Sequence, residues 1–398
     1  MPRVIESPEV RELPGNVSAL DGIRGLAILQ VVLGHLHYSV STNPYFLDVT
    51  PWDFVNRSLE PAFLGVDIFF TLSGFLITSL LLRDLSLRGT GGRSTSTVLK
   101  HFYARRALRL LPALYVLVAV SWVIVLWQGS SLASQWETTG SALLYVTNWH
   151  LVFGPFFSDF GPNGDIGHLW SLAVEEQFYI VWPLVLIGLV AFRAKPRLLL
   201  AVFTISTLVI CLHRIHLFDT SPSWVGSYVR TDARVDSMIV GAFFAVVHRH
   251  YRLDRRVVAV IASLGMGGII WIKYAIPHSP EIFRSGFTII AVCTGVCVLA
   301  AAQGGWFFCR ILAWRPLVVL GKVSYGLYLY HHLIFIAVGR HVSWGSNSFR
   351  ILLAVAITSA LTWLSWRFVE QPFLRLKDRR FASHGSSDRE PVAGVSRH

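Results

Sequence analysis

The sequence predicts an all-α polytopic membrane protein with about ten transmembrane helices and with both termini in the cytoplasm. Of its 398 residues, 53% are hydrophobic and only 15% are charged, and the mean hydropathy is +0.53. A soluble enzyme of this length carries more charge and fewer long apolar runs. A helix needs roughly 18 to 25 mainly apolar residues to cross a bilayer. Ten segments meet this requirement, namely 19–40, 62–82, 107–128, 168–192, 197–217, 235–250, 256–276, 284–302, 317–339 and 349–370.

The formal net charge of +12 follows the predicted topology and does not indicate a nucleic-acid surface. With the N-terminus in the cytoplasm, most loop arginines and lysines fall on the cytoplasmic side, as the positive-inside rule requires. The apolar piece from Ser141 to Phe153 is too short to span, and we expect it to be interfacial or re-entrant. The sequence therefore predicts a cytoplasmic segment over 1–17, one membrane domain over 18–376 and a disordered cytoplasmic tail over 377–398.

The first apolar segment contains a basic pair, Arg24 and His35. On a helix this spacing returns both side chains to nearly the same face, about 16 Å apart along the axis. Two such side chains inside a membrane are unfavourable unless they face a polar cavity. We therefore expect them to mark two points on a reaction path through the bilayer.

Acidic residues occur in the second and fourth predicted helices. Asp67 is expected at a depth similar to that of His35, where it would hold the tautomer of the imidazole and raise its basicity. The alternative is a hydrated or capping aspartate at the helix mouth. Glu175 and Glu176 lie about 10 Å inside the fourth helix, so at least one must pair with a cation or hold a proton. The alternative is a structural tie between helices, with these candidate partners: Arg24, Arg109 and Arg234.

The ninth predicted helix carries a polar stripe. Ser324, Tyr328 and His331 recur at helical spacing and share one face, which favours a cavity lining over simple packing. Cys293 and Cys297 also share a face, but no acidic residue or histidine lies near them in the sequence. We interpret these cysteines as small packing residues and predict no metal site.

Two classes of function fit such buried polar residues. Membrane enzymes use them in catalysis, and proton-coupled small-molecule transporters use them to line ion pathways. Transporters often show inverted repeats and paired broken helices, and the sequence shows neither. It also lacks a zinc-type histidine pair, a glycine-rich phosphate loop and a nucleophile elbow. An enzyme is therefore the preferred interpretation, and a transporter is the alternative.

Seven blocks of the sequence together resemble the acyltransferase-3 family of integral-membrane O-acyltransferases. Each block alone is a weak signal, but their order is that of the family, and they cover the chain from about 18 to 376. The blocks are Leu20–His35, Gly65–Thr78, Phe102–Pro112, Trp170–Tyr179, Arg234–Gly241, Ser324–His331 and Glu370–Pro372.

The resemblance implies a reaction in which a short acyl group, acetyl or similar, moves from cytoplasmic acyl-CoA to a hydroxyl group. The implied acceptor is a cell-envelope glycan, a glycolipid or a macrolide-type glycoside. Acyl-CoA is a substrate here, so no bound cofactor is expected. The resemblance further implies a multi-pass protein of the bacterial cytoplasmic membrane, in contact with membrane lipids and not with nucleic acid.

Site residues follow from the same resemblance. His35 matches the catalytic histidine of the family and Arg24 matches its partner arginine, and we expect Asp67 and Glu175 to assist them. The residues expected to bind the acyl-CoA donor are Arg105, Arg106, Arg109, Ser324, Tyr328 and His331. The doubled Glu175–Glu176 and His331–His332 pairs leave open which member is functional.

The predicted mechanism uses His35 as a general base on the acceptor hydroxyl, oriented by Asp67 or Glu175. Tyr328 or Trp170 is expected to stabilise the tetrahedral oxyanion. A covalent relay through an acyl-histidine is the alternative to direct transfer. The arginines suit the donor because guanidinium groups bind phosphates in a bidentate manner.

Overall fold

A computed structural model describes residues 5–6, 13, 17–40, 62–86, 94–129, 131–154, 164–221, 223–276, 279–342 and 344–381. Almost all of this part is helical. In chain order the helices are α1 (Ser18–Val40), α2 (Phe63–Ser86), α3 (Thr95–Gln128), α4 (Leu132–Leu143), α5 (Thr147–Phe153), α6 (Trp170–Ala191), α7 (Pro196–Thr220), α8 (Val225–Val229), α9 (Thr231–Arg234), α10 (Asp236–His250), α11 (Arg255–Ala275), α12 (Phe287–Gln303), α13 (Cys309–Leu312), α14 (Arg315–His341), α15 (Asn347–Ser365) and α16 (Gln371–Phe381).

Short irregular elements join these helices. A 3₁₀ turn over Gly164–Leu169 leads into α6, and π-helical turns precede α12 (Ile282–Gly286) and α16 (Trp366–Glu370). Two two-residue strands, β1 (Ile5–Glu6) and β2 (Tyr251–Arg252), pair antiparallel with Ile5 opposite Arg252. This ladder is a small addition to the predicted all-α fold.

Eight helices in the described part of the chain are apolar and long enough to cross a membrane. The prediction of an all-α polytopic membrane protein is confirmed, whereas the predicted number of spans was ten. The eight segments are Ser18–Leu36, Phe63–Ser86, Thr95–Trp127, Ile166–Ala191, Pro196–Thr220, Arg255–Ala275, Ile282–Gln303 and Asn347–Lys377.

The two remaining predicted spans are helices of a different kind. α10 has 15 residues, which reach only about 22 Å, and it is buried among other helices. α14 has 27 residues, but its tyrosines, histidines and charged residues lower its mean hydropathy. Both helices therefore exist where the sequence predicts them, and neither is recognisable as a span from length and composition alone.

Local sequence signals set the helix ends. The Ser94 side chain accepts a hydrogen bond from the Thr97 amide at 3.3 Å and begins α3, as serine does at many N-caps. Gly129, with φ of +64°, ends the same helix, because glycine adopts left-handed backbone without a side-chain clash. Asp254 caps α11 by accepting from the Arg256 amide at 2.7 Å.

The apolar piece Ser141–Phe153 does not form one helix. α4 ends within it and α5 begins after a break around Tyr145, which has a positive φ of 54°. Neither short helix is long enough to span, in agreement with the prediction of a non-spanning piece. At the C-terminal end, α16 continues through Phe381, so residues 377–381 are helical and not part of a disordered tail. The rest of the predicted tail, 382–398, lies outside the described residues, as does most of 1–17.

Close helix packing at the centre depends on glycine. A β-carbon at Gly321 of α14 would lie 1.9 Å from the Asp21 carbonyl oxygen of α1, and one at Gly241 of α10 would lie 2.0 Å from the Thr71 carbonyl oxygen of α2. Because such distances exclude any side chain, α1 touches α14 and α2 touches α10 backbone to backbone. The first contact places α1 beside α14, and α2 in turn packs against α1, where a β-carbon at Gly65 would lie 2.3 Å from the Ala27 carbonyl oxygen.

Candidate active site

A cavity lies between α1, α2, α3, α6 and α14. It contains about 890 Å³ of space not filled by atoms, including the part at its mouth that is open to the surroundings. Its polar lining consists of Arg24, Ser73, Arg106, Arg109, Ser171, Glu175, Tyr179, Ser324, Tyr325 and Tyr328. The apolar lining comes mainly from α2, through Val66, Phe69, Phe70, Leu76, Ile77 and Leu80. The cavity therefore combines positive charge with an apolar wall.

Six of the predicted site residues meet in the wall of this cavity, although they come from four different helices. They are Arg24, Arg106, Arg109, Glu175, Ser324 and Tyr328. Four further predicted residues do not line it: His35, Asp67, Arg105 and His331. His35 and His331 belong to one group of histidines beyond the cavity, whereas Asp67 and Arg105 each pair with another charged side chain.

The three arginines predicted to bind the donor are in different electrostatic situations. Arg106 donates to the Glu176 carboxylate at 2.5 Å, and its guanidinium lies 3.3 Å above the centre of the Tyr179 ring. Arg105 does not line the cavity, because it donates to Asp84 at 2.8 Å instead. Two of the three positive charges are thus already neutralised by carboxylates of the protein.

Arg109 differs from both. It is exposed, it lines the cavity, and it makes no hydrogen bond or ion pair within the described residues. Arg24, across the cavity, makes a long contact of 3.4 Å with Asp21. In the described part of the chain, the cavity therefore holds one guanidinium without a direct carboxylate partner and a second with only a long contact. These two positive charges, with Glu175 facing the same cavity, form a site that attracts an anionic ligand.

The two adjacent glutamates of α6 have separate roles in the structure. Glu175 faces the cavity, and its Oε1 accepts from the Ser73 hydroxyl at 2.5 Å and from the Tyr179 hydroxyl. Glu176 is buried and pairs with Arg106. The predicted glutamate–arginine tie therefore exists, but it joins Glu176 to an arginine that was not among the expected partners.

The polar face of α14 continues beyond the cavity. Tyr328 donates from its hydroxyl to the His168 carbonyl oxygen, and the Ser171 hydroxyl, 2.7 Å away, consequently donates to Tyr328. Ser324 donates to the Gly321 carbonyl at 2.9 Å within its own helix. Tyr328 borders both the cavity and the group of histidines that follows it.

Four imidazole rings cluster at this end of the cavity: His35, His168, His331 and His332. The Nδ1 of His35 lies 2.9 Å from the Nε2 of His331. In the other pairs of these four rings, the ring centres lie 4.8 to 6.5 Å apart. Among the described residues, no group of three or more His, Cys, Asp or Glu side chains is arranged to hold a metal ion. Within the cluster the rings contact one another through the His35–His331 hydrogen bond and through edge and tilted ring contacts.

Asp67 does not approach this cluster. It is fully buried, and its Oδ1 accepts from Arg234 at 2.8 Å and from the Ser237 hydroxyl at 3.2 Å. A second fully buried pair, Arg214 with Asp236 at 2.8 Å, lies nearby. The Asp67 side chain faces the end of α9 and the start of α10, whereas α2 contacts α1 two residues earlier, at Gly65. The expected orientation of His35 by Asp67 or Glu175 is accordingly not observed, since the hydrogen bond of His35 goes to another histidine.

Some polar residues of the site were not singled out from the sequence. Tyr179 lies four residues after Glu175, and this helical spacing is the signal that could have identified it. His168 lies in a 3₁₀ turn just before the matched block Trp170–Tyr179, so the helical pattern of that block does not include it. Trp170, which was expected near the oxyanion, packs instead against Phe70 and Tyr228.

Comparison with known proteins gives a family match over nearly the whole chain. A family described as "Acyltransferase domain" matches residues 17–369. The chain is 31% identical over 396 residues to Bacillus subtilis YrhL, covering 94% of this chain and 56% of the relative. It is 30% identical over 370 residues to the peptidoglycan O-acetyltransferase OatA of Listeria monocytogenes, covering 89% and 55%.

A third relative is the O-acetyltransferase OatA of Staphylococcus aureus, which is 30% identical over 386 residues, covering 94% of this chain and 59% of the relative. The chain spans between half and two thirds of the length of these curated relatives. No solved structure matches it significantly.

Proposed function

The chain belongs to this acyltransferase family, and we propose that it is a membrane O-acyltransferase. It would move a short acyl group, acetyl or similar, from acyl-CoA to a hydroxyl group of a glycan. The observation that carries the proposal is the cavity itself. It joins Arg109, which has no direct carboxylate partner within the described residues, to an apolar wall and, at Tyr328, borders the histidine cluster that contains His35.

Acyl-CoA fits the chemistry of the cavity in two respects. Its phosphates carry negative charge, which suits Arg109 and Arg24, because guanidinium groups form strong charge-assisted bonds with phosphate. Its pantetheine arm is thin and largely uncharged, which suits the wall formed by α2. We infer that the donor enters from the cytoplasmic side and that its thioester lies near Tyr328.

Within this proposal His35 is the general base. It removes the proton of the acceptor hydroxyl, whose oxygen forms a bond to the thioester carbonyl carbon, and the carbon–sulfur bond then breaks. The proton passes from His35 to the departing thiolate, so that an ester and free CoA leave. Tyr328 and Ser171 lie in the cavity wall, and they would stabilise the developing oxyanion by turning their hydroxyl protons toward it from the His168 carbonyl oxygen and from Tyr328.

The Listeria monocytogenes relative, a peptidoglycan O-acetyltransferase, supports a cell-wall glycan as the acceptor. Because His35 lies near the other end of α1 from Arg24, donor and acceptor would approach it from opposite faces of the membrane. This arrangement supports a location in the bacterial plasma membrane with cytoplasmic termini. In such a topology α10 and α14 cross the membrane as well, shielded from lipid by their neighbours.

The test is acyl transfer by the purified protein in nanodiscs. Acetyl-CoA and soluble peptidoglycan fragments are supplied, and ester formation is followed by mass spectrometry together with thiol release. We expect His35→Ala to abolish both, because it removes the base. His216→Ala, which changes an exposed histidine on α7, is the matched control and should retain wild-type rates. Ester formation that survives His35→Ala in folded protein would contradict the proposal, and uptake of a solute without ester formation would favour a transporter.

A further inference from the structure

We propose that His331 fixes the tautomer of His35, with the proton on Nδ1 and the lone pair on Nε2. His331 is thereby a positioning residue, because it acts on His35 and does not touch the reacting atoms. The proposal rests on the proposed function in one respect only, namely that His35 is the base. The protonation pattern itself follows from the hydrogen bonds and can be measured without any turnover.

The backbone of α14 determines which nitrogen of His331 carries the proton. The Nδ1 of His331 lies 3.0 Å from the Leu327 carbonyl oxygen and 2.8 Å from the Tyr328 carbonyl oxygen. Carbonyl oxygens only accept hydrogen bonds, so this nitrogen must carry a proton. The helix itself therefore determines the tautomer of His331, since both acceptors belong to the preceding turn.

The His331 ring is uncharged. Its side chain is fully buried, and its hydrogen bonds within the described residues go to two carbonyl groups and to His35, none of which is a carboxylate. A buried imidazolium without a carboxylate partner is strongly unfavourable. The ring is therefore neutral, and its Nε2 holds a lone pair.

The protonation of His331 fixes the direction of its hydrogen bond with His35. The Nε2 of His331 can only accept, so the Nδ1 of His35, 2.9 Å away, must be the donor. This leaves the lone pair of His35 on Nε2. That atom makes no hydrogen bond within the described residues, and the His35 side chain is only partly buried. The basic nitrogen is thus the one that remains accessible to an acceptor hydroxyl.

The same carbonyl group fixes a second histidine. The Nε2 of His168 lies 3.0 Å from the Tyr328 carbonyl oxygen, and one carbonyl oxygen has lone pairs for two donors. His168 is therefore protonated on Nε2, and its buried Nδ1 has no partner within the described residues. Tyr328 thus holds His331 and His168 through one backbone oxygen while its side chain lines the cavity.

The tautomer matters in the reaction because the acceptor proton must arrive at a free lone pair. When Nε2 of His35 takes that proton, the ring becomes positive while its Nδ1–H still donates to His331. The bond between the rings then becomes charge-assisted and stabilises the imidazolium. When the proton passes to the thiolate, His35 returns to the same tautomer and is ready for another cycle.

The direct test is ¹⁵N NMR of the full-length chain in nanodiscs with labelled histidine. The sequence contains 15 histidines, so the signals of His35 are assigned by difference from the His35→Gln spectrum. We expect wild-type His35 to be protonated on Nδ1 and not on Nε2. We also expect the proton to distribute over both nitrogens in His331→Phe, and the wild-type pattern to persist in His332→Phe. A wild-type His35 protonated on Nε2, or an unchanged pattern in His331→Phe, would overturn the proposal.

A kinetic measurement separates positioning from mere packing. His331→Phe should lower kcat about tenfold, the effect of losing one hydrogen bond that selects the productive tautomer, with KM for acetyl-CoA unchanged. His331→Gln keeps an oxygen that accepts from His35, so it should restore most of kcat, which a purely structural role does not predict. If Gln and Phe lower kcat equally in folded protein, positioning is contradicted. If no variant or wild type shows turnover, the NMR result still decides the tautomer, and only the proposed function fails.

Discussion

Arginines in and around the cavity differ in whether a carboxylate of the protein already neutralises them. Arg106 is held by Glu176 and by the Tyr179 ring, and Arg105 is held by Asp84. Arg109 has no such partner within the described residues. A charge kept in a polar cavity without a protein partner is the more probable binding site for a charged ligand, because its free energy improves most on binding.

Replacement of single arginines should therefore have unequal effects. We expect Arg109→Ala to raise KM for acetyl-CoA by about 10- to 100-fold, the effect of losing a charge-assisted hydrogen bond, and to change kcat much less. Arg105→Ala, the matched control on the same helix, should leave KM within about threefold of wild type, because surface ion pairs contribute little. Steady-state thiol release in nanodiscs measures both. Equal increases in KM for the two variants would show that Arg109 has no special role.

Asp67 should prove to be a stability residue. Asp67→Ala leaves Arg234 buried and uncompensated, so it should lower the free energy of unfolding by about 3–5 kcal/mol, while the protein that remains folded keeps its kcat. Asp219→Ala removes a carboxylate from the exposed pair with Arg284 and should change stability little. Denaturant unfolding followed by tryptophan fluorescence, with kcat measured on the folded fraction, tests this. A folded but inactive Asp67→Ala protein would return Asp67 to the catalytic group.

At this scale the sequence identified which polar residues are unusual in a membrane helix, but not which of them meet. Asp67 and His35 were placed at similar depth from helix direction alone. Their partners depend on the rotation of each helix about its axis, and in α2 this rotation turns Asp67 toward Arg234. The doubled residues show the same limit, because Glu175 faces the cavity and Glu176 faces Arg106 although they are adjacent.

Among the elements, the contact of α1 with α14 determines the geometry of the site. It brings Arg24 and Ser324 into the wall of one cavity and His35 against His331, so both the cavity and the histidine pair depend on one helix interface. Gly321 allows this interface, because no β-carbon fits beside the Asp21 carbonyl oxygen. Glycine at this position lowers the helix propensity of α14, but it allows α14 to pack closely against α1.

We expect Gly321→Ala to separate α1 from α14. Because a β-carbon there must displace backbone, the substitution should lower stability by about 1–3 kcal/mol and reduce kcat about tenfold or more. Gly188→Ala on α6 is the matched control, since its β-carbon would meet nothing within 4 Å, and it should be neutral or stabilising by up to about 1 kcal/mol. Thermal unfolding and thiol release are measured for both. Wild-type kcat in Gly321→Ala would mean that the α1–α14 distance does not control the reaction.

The existence of the helices was predictable because apolar length is a property of each segment. Whether α10 and α14 cross the membrane was harder to predict, because α10 is short and α14 is polar. Each of them is stable only among its neighbours. The helical end of the chain through Phe381 was missed as well. It is rich in charge, and that composition resembles a disordered tail.

Inside its apolar exterior, the molecule encloses two groups of polar side chains, which lie at different depths along the helices. The arginine-lined cavity lies toward the expected cytoplasmic side, and the histidine cluster lies toward the other. Large exposed apolar residues form the outer surfaces, whereas the fully buried charges of Asp67, Arg214, Arg234 and Asp236 form two ion pairs, as a low dielectric favours. This division fits a donor and an acceptor that arrive from opposite faces.

The orientation of the molecule can be tested by labelling. In a background without the four native cysteines, His150→Cys on α5 should react with a membrane-impermeant thiol reagent in intact cells. Arg256→Cys at the start of α11 should react only after the membrane is permeabilised, because the positive-inside rule places that segment in the cytoplasm. The reverse pattern would invert the topology and remove the proposed cytoplasmic entry of acyl-CoA.

The structure of the full chain in nanodiscs with a non-hydrolysable acyl-CoA analogue would test the proposed donor site most directly. We predict phosphate density beside Arg109 and Arg24, a pantetheine arm along α2, and the thioester position next to Tyr328. The carbonyl carbon should then be separated from Nε2 of His35 by the space of one hydroxyl group. An analogue bound outside this cavity, or bound in it with the acyl end directed away from His35, would contradict the account.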